Sequence, residues 1–135
     1  MMRKLLVYIG GILTIIWGIS HIFPTRNIVI GFGKISADNI NIVKMEWLTE
    51  GFSLIFLGLL VVIITLISER GNKVARVVYL LTFIMLTAMS VLSLFTGFKI
   101  DFIPFKICPF IFMTAGLLIL SGFFNYEEPV IKGNS

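Results

Sequence analysis

Four stretches of this chain run for 18 to 22 residues without a charge: Leu5–Thr25, Gly51–Ser68, Val77–Phe98 and Ile107–Tyr126. A helix needs roughly 20 mostly apolar residues to cross the hydrocarbon layer of a bilayer. Inside that layer backbone hydrogen bonds are satisfied only within helices or closed barrels. The stretches lack the period-two alternation of a barrel strand, so helices are expected. Composition agrees. Apolar residues make up 58% and charged residues 13% of the 135 positions, against about 45–50% and about 25% in a soluble domain. A chain this short cannot enclose so much apolar surface in a core of its own.

The expected fold is therefore all-α: a polytopic membrane protein, built as one antiparallel four-helix transmembrane bundle over residues 1–135. The predicted spans are 4–23, 47–68, 76–97 and 105–124. Pro24 ends the first, because the residue before a proline avoids helical geometry. Thr25 to Ile35, with its "GFG", reads as a turn-bearing loop. Ser36 reads as an N-cap with Asp38 in the first turn. A helix from there to Ile67 would be about 46 Å long, more than the roughly 30 Å of hydrocarbon. Its first turns must then stand outside the membrane or bend along the surface near Gly51. Gly71-Asn72 centres a short turn between the second and third spans. In the third span Thr87, Ser90, Ser93 and Gly97 form a stripe of small residues suited to close helix contact. Pro109 either interrupts a helix already running at Phe105 or lies in the first turn of the last span.

Basic residues set the expected orientation. Arg3, Lys4, Arg70, Lys73, Arg76 and Lys132 lie on the side of the termini, and Arg26, Lys34, Lys44, Lys99 and Lys106 on the other. The first five are crowded into two short segments, which favours cytoplasmic termini in the plasma membrane. The start, Arg3-Lys4 and then "LLVYIGGILTIIW", also has the form of a signal peptide with a cut after Ser20, but the apolar run is long for one. The net charge of +4 comes from residues between spans, with no aromatic-interleaved basic face, so no nucleic-acid partner is expected. Cys108 is the only cysteine. That excludes an internal disulfide, a C-x-x-C redox pair and a cysteine zinc site.

The candidate binding residues are His21, Glu50, Trp17 and Glu46. His21, the only histidine, lies one helical turn beyond Trp17. Glu46 and Glu50 are one turn apart at the start of the second span. The intervening loop returns the chain to the same leaflet, so His21 and Glu50 reach a similar depth and are expected to approach each other at the mouth of a cavity. An imidazole beside a carboxylate suits proton transfer, and an acid at the bilayer centre costs at least ~2.5 kcal/mol, so it seldom occurs without a function. The competing reading is that His21 and Glu50 are anchors at headgroup level, with Trp17 and Trp47 in the aromatic belt and Glu46 solvated beside Lys44 or Arg26. His21, Glu46 and Glu50 could in principle supply three metal ligands, but a metal site would call for more than one histidine among clustered carboxylates, so none is expected. "GFGKIS" lacks the third glycine of a dinucleotide loop and is no P-loop. No G-x-S-x-G elbow is present, and no cofactor is expected.

The run "GILTIIWGISHIFPT", then "GFGKISADN" and "MEWLTEGFSLIFLGLL", resembles small four-span prokaryotic membrane proteins. The layout is also similar to the DoxX-like group, which shares a four-helix bundle and a glycine-plus-histidine end to the first span. The resemblance implies the bundle and supplies no catalytic residues. The expected function is non-enzymatic binding of a lipid-like or quinone-like molecule or of a membrane partner. Two alternatives are a proton-coupled transporter acting as a homo-dimer and a membrane enzyme using His21 and Glu50. Beyond the lipid bilayer, the expected partners are an apolar small molecule and a second copy of the chain.

Overall fold

The computed structural model describes residues 2–69, 71–97 and 103–124. These form five helices: α1 (Met2–Ile22), α2 (Thr25–Gly31), α3 (Ala37–Ile67), α4 (Lys73–Gly97) and α5 (Ile103–Leu120). Among the described residues there is no strand. Three helices, α1, α3 and α4, are long and apolar enough to cross a membrane, while the apolar helical segment Phe105–Leu120 is shorter. At most a third of the most apolar window of each long helix is buried. The remainder presents large apolar side chains outward, among them Phe56 (65% exposed) and Phe95 (74%). In water such surface would drive association, whereas lipid tails solvate it.

The helix boundaries follow local chemistry. Ser36 is the N-cap expected of α3, its Oγ accepting from the Asn39 N–H at 3.2 Å. Asn72 caps α4, its Oδ1 accepting from the N–H groups of Val74 and Ala75, and Gly71 supplies the left-handed turn at φ 78°. The segment 25–35 departs from the expected loop, because it contains α2. Pro24 lacks an N–H and so ends α1, but its carbonyl accepts from Ile28 N at 3.0 Å and starts the next helix. As the N-cap of α2, Pro24 costs that helix no hydrogen bond, because an N-cap N–H has no partner within the helix. Gly33, at φ 70°, closes the segment.

Glycines set the packing of α1 on α3. A β-carbon at Gly11 would fall 3.3 Å from the Gly58 carbonyl oxygen, and one at Gly58 only 2.6 Å from that of Gly11. Gly18 and Gly51 meet in the same way, at 2.8 and 3.1 Å. Small residues bring helix backbones together in lipid, where dispersion and polar contacts drive association. The expected small-residue stripe of α4 divides. Ser90 donates to the Pro109 carbonyl at 2.8 Å, and Gly97 makes room for the Phe105 carbonyl, which a β-carbon there would approach to 3.0 Å. Ser93 instead lines a cavity. Pro109 lies inside α5, the first of the two arrangements open to it.

The described core comprises residues such as Val7, Leu54, Val61, Leu86, Phe112 and Ile119. One end of the bundle is closed by polar contacts. Thr65 and Tyr79 share a hydrogen bond of 2.9 Å between α3 and α4. Arg3 donates to the Phe124 carbonyl. Arg76 donates to that of Phe123 at 3.0 Å and lies over its ring. Cations suit the carbonyl-rich C-terminal end of a helix such as α5. Elsewhere α3 and α4 touch little, while α1 packs closely on α3 and α4 on α5.

Candidate functional site

The gap left between α3 and α4 is floored by His21, at the last turn of α1. Its imidazole stacks on the Trp47 indole with centroids 3.8 Å apart and planes 17° apart. The Trp47 N–H donates to the main-chain carbonyl of His21 at 2.6 Å. Phe105 meets the other side of this group edge-on, 5.4 Å from Trp47. Three helices therefore hold one ring. The His21 side chain is 4% accessible and that of Glu50 36%.

His21 Nε2 lies 3.3 Å from Glu50 Oε2. The separation is within ion-pair reach, yet the directions do not make a hydrogen bond, and Nε2 is a buried nitrogen without a hydrogen-bond partner. Such an atom costs about 1–3 kcal/mol of lost hydration unless something completes it. Trp17 Nε1 is in the same position. Its side chain shares the lining of one cavity with Cys108, and Cys108 shares that of another with Glu50.

Two cavities meet at His21. The larger, of about 500 Å³, is walled by α3 through Met45, Glu46, Thr49, Glu50 and Ser53. Across from these stand Met85, Met89, Leu92, Ser93 and Thr96 of α4, and Phe105 and Cys108 of α5 complete it. A shallower hollow of about 550 Å³ shares Thr49, Ser53 and Met85 with it and continues between Phe52, Phe56 and Leu57. The smaller cavity, about 220 Å³, lies behind the imidazole among Trp17, Ser20, Pro24, Trp47, Phe105 and Cys108.

The structure thus brings His21 and Glu50 together as the topology predicted. Glu46 lines the same cavity from an exposed position. Trp17 reaches only the smaller cavity. Sequence reasoning missed three contributors: the Trp47 stack, Cys108 at the floor, and the methionine walls. Met85 and Met89 lie one turn apart on α4, a spacing visible in the sequence, and methionine is the side chain that adapts to irregular apolar guests. Among the described residues no group of three His, Cys, Asp or Glu is placed to hold a metal ion.

Chemically, the site offers a polar floor with one imidazole nitrogen and a carboxylate, below apolar walls that open along α3 toward the lipid-facing surface. No protein-family model matches the chain, and neither the curated proteins nor the solved structures compared with it contain a match.

Proposed function

We propose that this protein is a four-span antiparallel membrane bundle that binds one amphiphilic molecule in the α3–α4 cleft without transforming it. The polar head sits at His21 and Glu50, and the tail lies along Met85, Phe52 and Phe56. α5 is the fourth span. Its 18 residues reach about 27 Å at 1.5 Å each, and the turn at 121–124 extends it. Antiparallel neighbours are supported by contacts in which numbers fall on one helix as they rise on the other: Gly11 with Gly58 and Gly18 with Gly51, Gly97 with Phe105 and Gly122 with Tyr79. The layout likeness to the DoxX-like group extends to this bundle only.

The observation that carries the proposal is the unpartnered His21 Nε2, buried at the floor of a cavity large enough for a ligand. Ligand sites are typically 300–1,000 Å³, apolar, with a few convergent polar groups. An anchor at headgroup level would be wet, whereas this ring is stacked, hydrogen-bonded through its own main chain to Trp47, and covered.

Intrinsic fluorescence tests the proposal, because the only two tryptophans both border the smaller cavity beside His21. Decan-1-ol brominated on its tail, titrated into the protein in a neutral detergent, should quench them saturably. Ser93→Phe, which fills the larger cavity from α4, should abolish the saturable part while leaving the thermal midpoint near that of the wild type. Quenching that rises without limit in both proteins reports partitioning alone and rejects the site.

A further inference from the structure

We infer that the head group selected by this cleft is a protonated amine, so that the ligand class is an alkylammonium amphiphile. The inference rests on the amphiphile reading above and specifies its head. Glu46 and Glu50 line the larger cavity, and among the described residues neither Lys nor Arg does. The smaller cavity also has no basic side chain among the described residues apart from His21. An anionic head, such as a fatty-acid carboxylate or a phosphodiester, would meet two carboxylates in a medium where like charges are poorly screened.

The second observation fixes the hydrogen-bonding sense. His21 Nε2 and Glu50 Oε2 are 3.3 Å apart, and Nε2 is buried with no hydrogen-bond partner. A carboxylate only accepts, and neutral imidazole has one accepting nitrogen. With Nε2 as that acceptor, two acceptors converge on one spot without a donor between them. An ammonium carries three donors and no acceptor. It satisfies both atoms at once and neutralises the Glu50 charge. A hydroxyl supplies a single donor, and a quaternary ammonium supplies charge with no N–H. Around this point Thr49, Ser53, Ser93 and Thr96 bring hydroxyls into the cavity, places for the third N–H to reach directly or through water. Met45, Met85 and Met89 flank the path of the alkyl tail.

The test compares heads on one tail. Decylammonium, decyltrimethylammonium, decanol and decanoate are titrated into the full chain in a neutral maltoside detergent, with displacement of the brominated decanol from Trp17 and Trp47, seen as recovered fluorescence, or the shift in thermal midpoint, as the readout. Each affinity is referred to the compound's own measured micelle partition coefficient, because a charged head enters neutral micelles less readily than a hydroxyl. Decylammonium is expected to bind about tenfold or more tighter than decanol, the ratio that one partly desolvated charge-assisted contact produces. Decyltrimethylammonium should fall between them, and decanoate should bind most weakly. Glu50→Gln should bring decylammonium to within about threefold of decanol, and Glu50→Asp should retain most of the preference. If Glu50→Gln fails to fold, Glu46→Gln, at an exposed position, should still lower the preference measurably.

Equal affinities for decylammonium and decanol overturn the charge inference and leave the amphiphile reading standing. Tightest binding of decanoate overturns it as well. Trimethylammonium equal to the primary amine keeps the charge and rejects the bridging donor. No saturable signal from any of the four, with the brominated decanol also silent, removes the site itself and the amphiphile reading with it.

Discussion

The environment of His21 is set by Trp47 more than by any other side chain. One indole provides a stacked face at 3.8 Å and an N–H bond to the His21 carbonyl, so it ties the last turn of α1 to α3 through both ring and backbone. A net hydrogen bond contributes about 1 kcal/mol and a stacked aromatic pair about 0.5–1.5 kcal/mol. Trp47→Phe keeps a ring and loses the N–H, and should cost about 1 kcal/mol in thermal unfolding followed in detergent. Trp47→Leu loses both and should cost roughly twice that. Equal losses in the two variants would show that the stack contributes nothing. The approach of His21 to Glu50 was legible beforehand, because chain reversal between α1 and α3 brings the end of one helix and the start of the next to one depth. The covering of His21 was not. Trp47 looked like a belt residue, and only the rotation of α3 about its axis, set by glycines elsewhere, turns its ring onto the imidazole.

Those glycines act at the scale of the element. Gly11 and Gly18 are seven apart on α1, and Gly51 and Gly58 are seven apart on α3. Two helical turns is the spacing at which one face repeats. Gly58→Ala would put a methyl group 2.6 Å from the Gly11 carbonyl oxygen, so the helices must part. Overpacking of this kind costs about 1–3 kcal/mol, and thermal unfolding should show it. Gly31→Ala, at the end of α2 with open space around it, should be neutral or stabilise by up to ~1 kcal/mol, as Gly→Ala does where the backbone permits. Equal effects at the two positions would mean that α1 and α3 do not rely on this contact. At the start of α3, Ser36→Ala removes the bond to Asn39 N and should cost about 1 kcal/mol. It should be visible as faster amide exchange in residues 37–40 with no change near Gly58. The α3 cap, the polar turn before α4 and the three long apolar helices were all readable, because each depends on a few adjacent residues. The small residues of α4 were readable only as a stripe. Their division between a helix contact and a cavity wall depends on where α5 sits. α2 escaped because glycines on both sides of Phe32 suggested a turn, whereas Pro24 starts a helix there and only Gly33 takes a left-handed turn.

At the scale of the whole molecule, length decides how the chain sits in a bilayer. α3 has 31 residues, about 46 Å of helix, and its uncharged part, Gly51–Ile67, accounts for about 26 Å of that, close to the thickness of the hydrocarbon layer. The turns from Ala37 to Glu50 then project beyond the layer on the side where α1 ends, and the acid of the site lies at its boundary. Arg3 bonded to the Phe124 carbonyl places the start of α1 and the end of α5 at one end of the bundle. Glu69 is at that same end, because Thr65 meets Tyr79 there, next to Gly122. Lys34 is at the opposite end, past α2. Single cysteines at Lys34, Glu69 and Phe124, all exposed, read out this arrangement once buried Cys108 is replaced by alanine. With a membrane-impermeant maleimide on intact cells, Lys34→Cys should label at once. Glu69→Cys and Phe124→Cys should label only after the membrane is opened, the outcome expected if the clustered basic residues hold the termini in the cytoplasm. The Phe124 position separates three spans from four: α5 is short, and if it lay along the surface Phe124→Cys would label together with Lys34→Cys from outside. Labelling of Lys34→Cys and Glu69→Cys from the same side would contradict α3 as a span. Reversal of all three would keep the bundle and turn the cleft mouth toward the cytoplasm, from which its ligand would then be drawn.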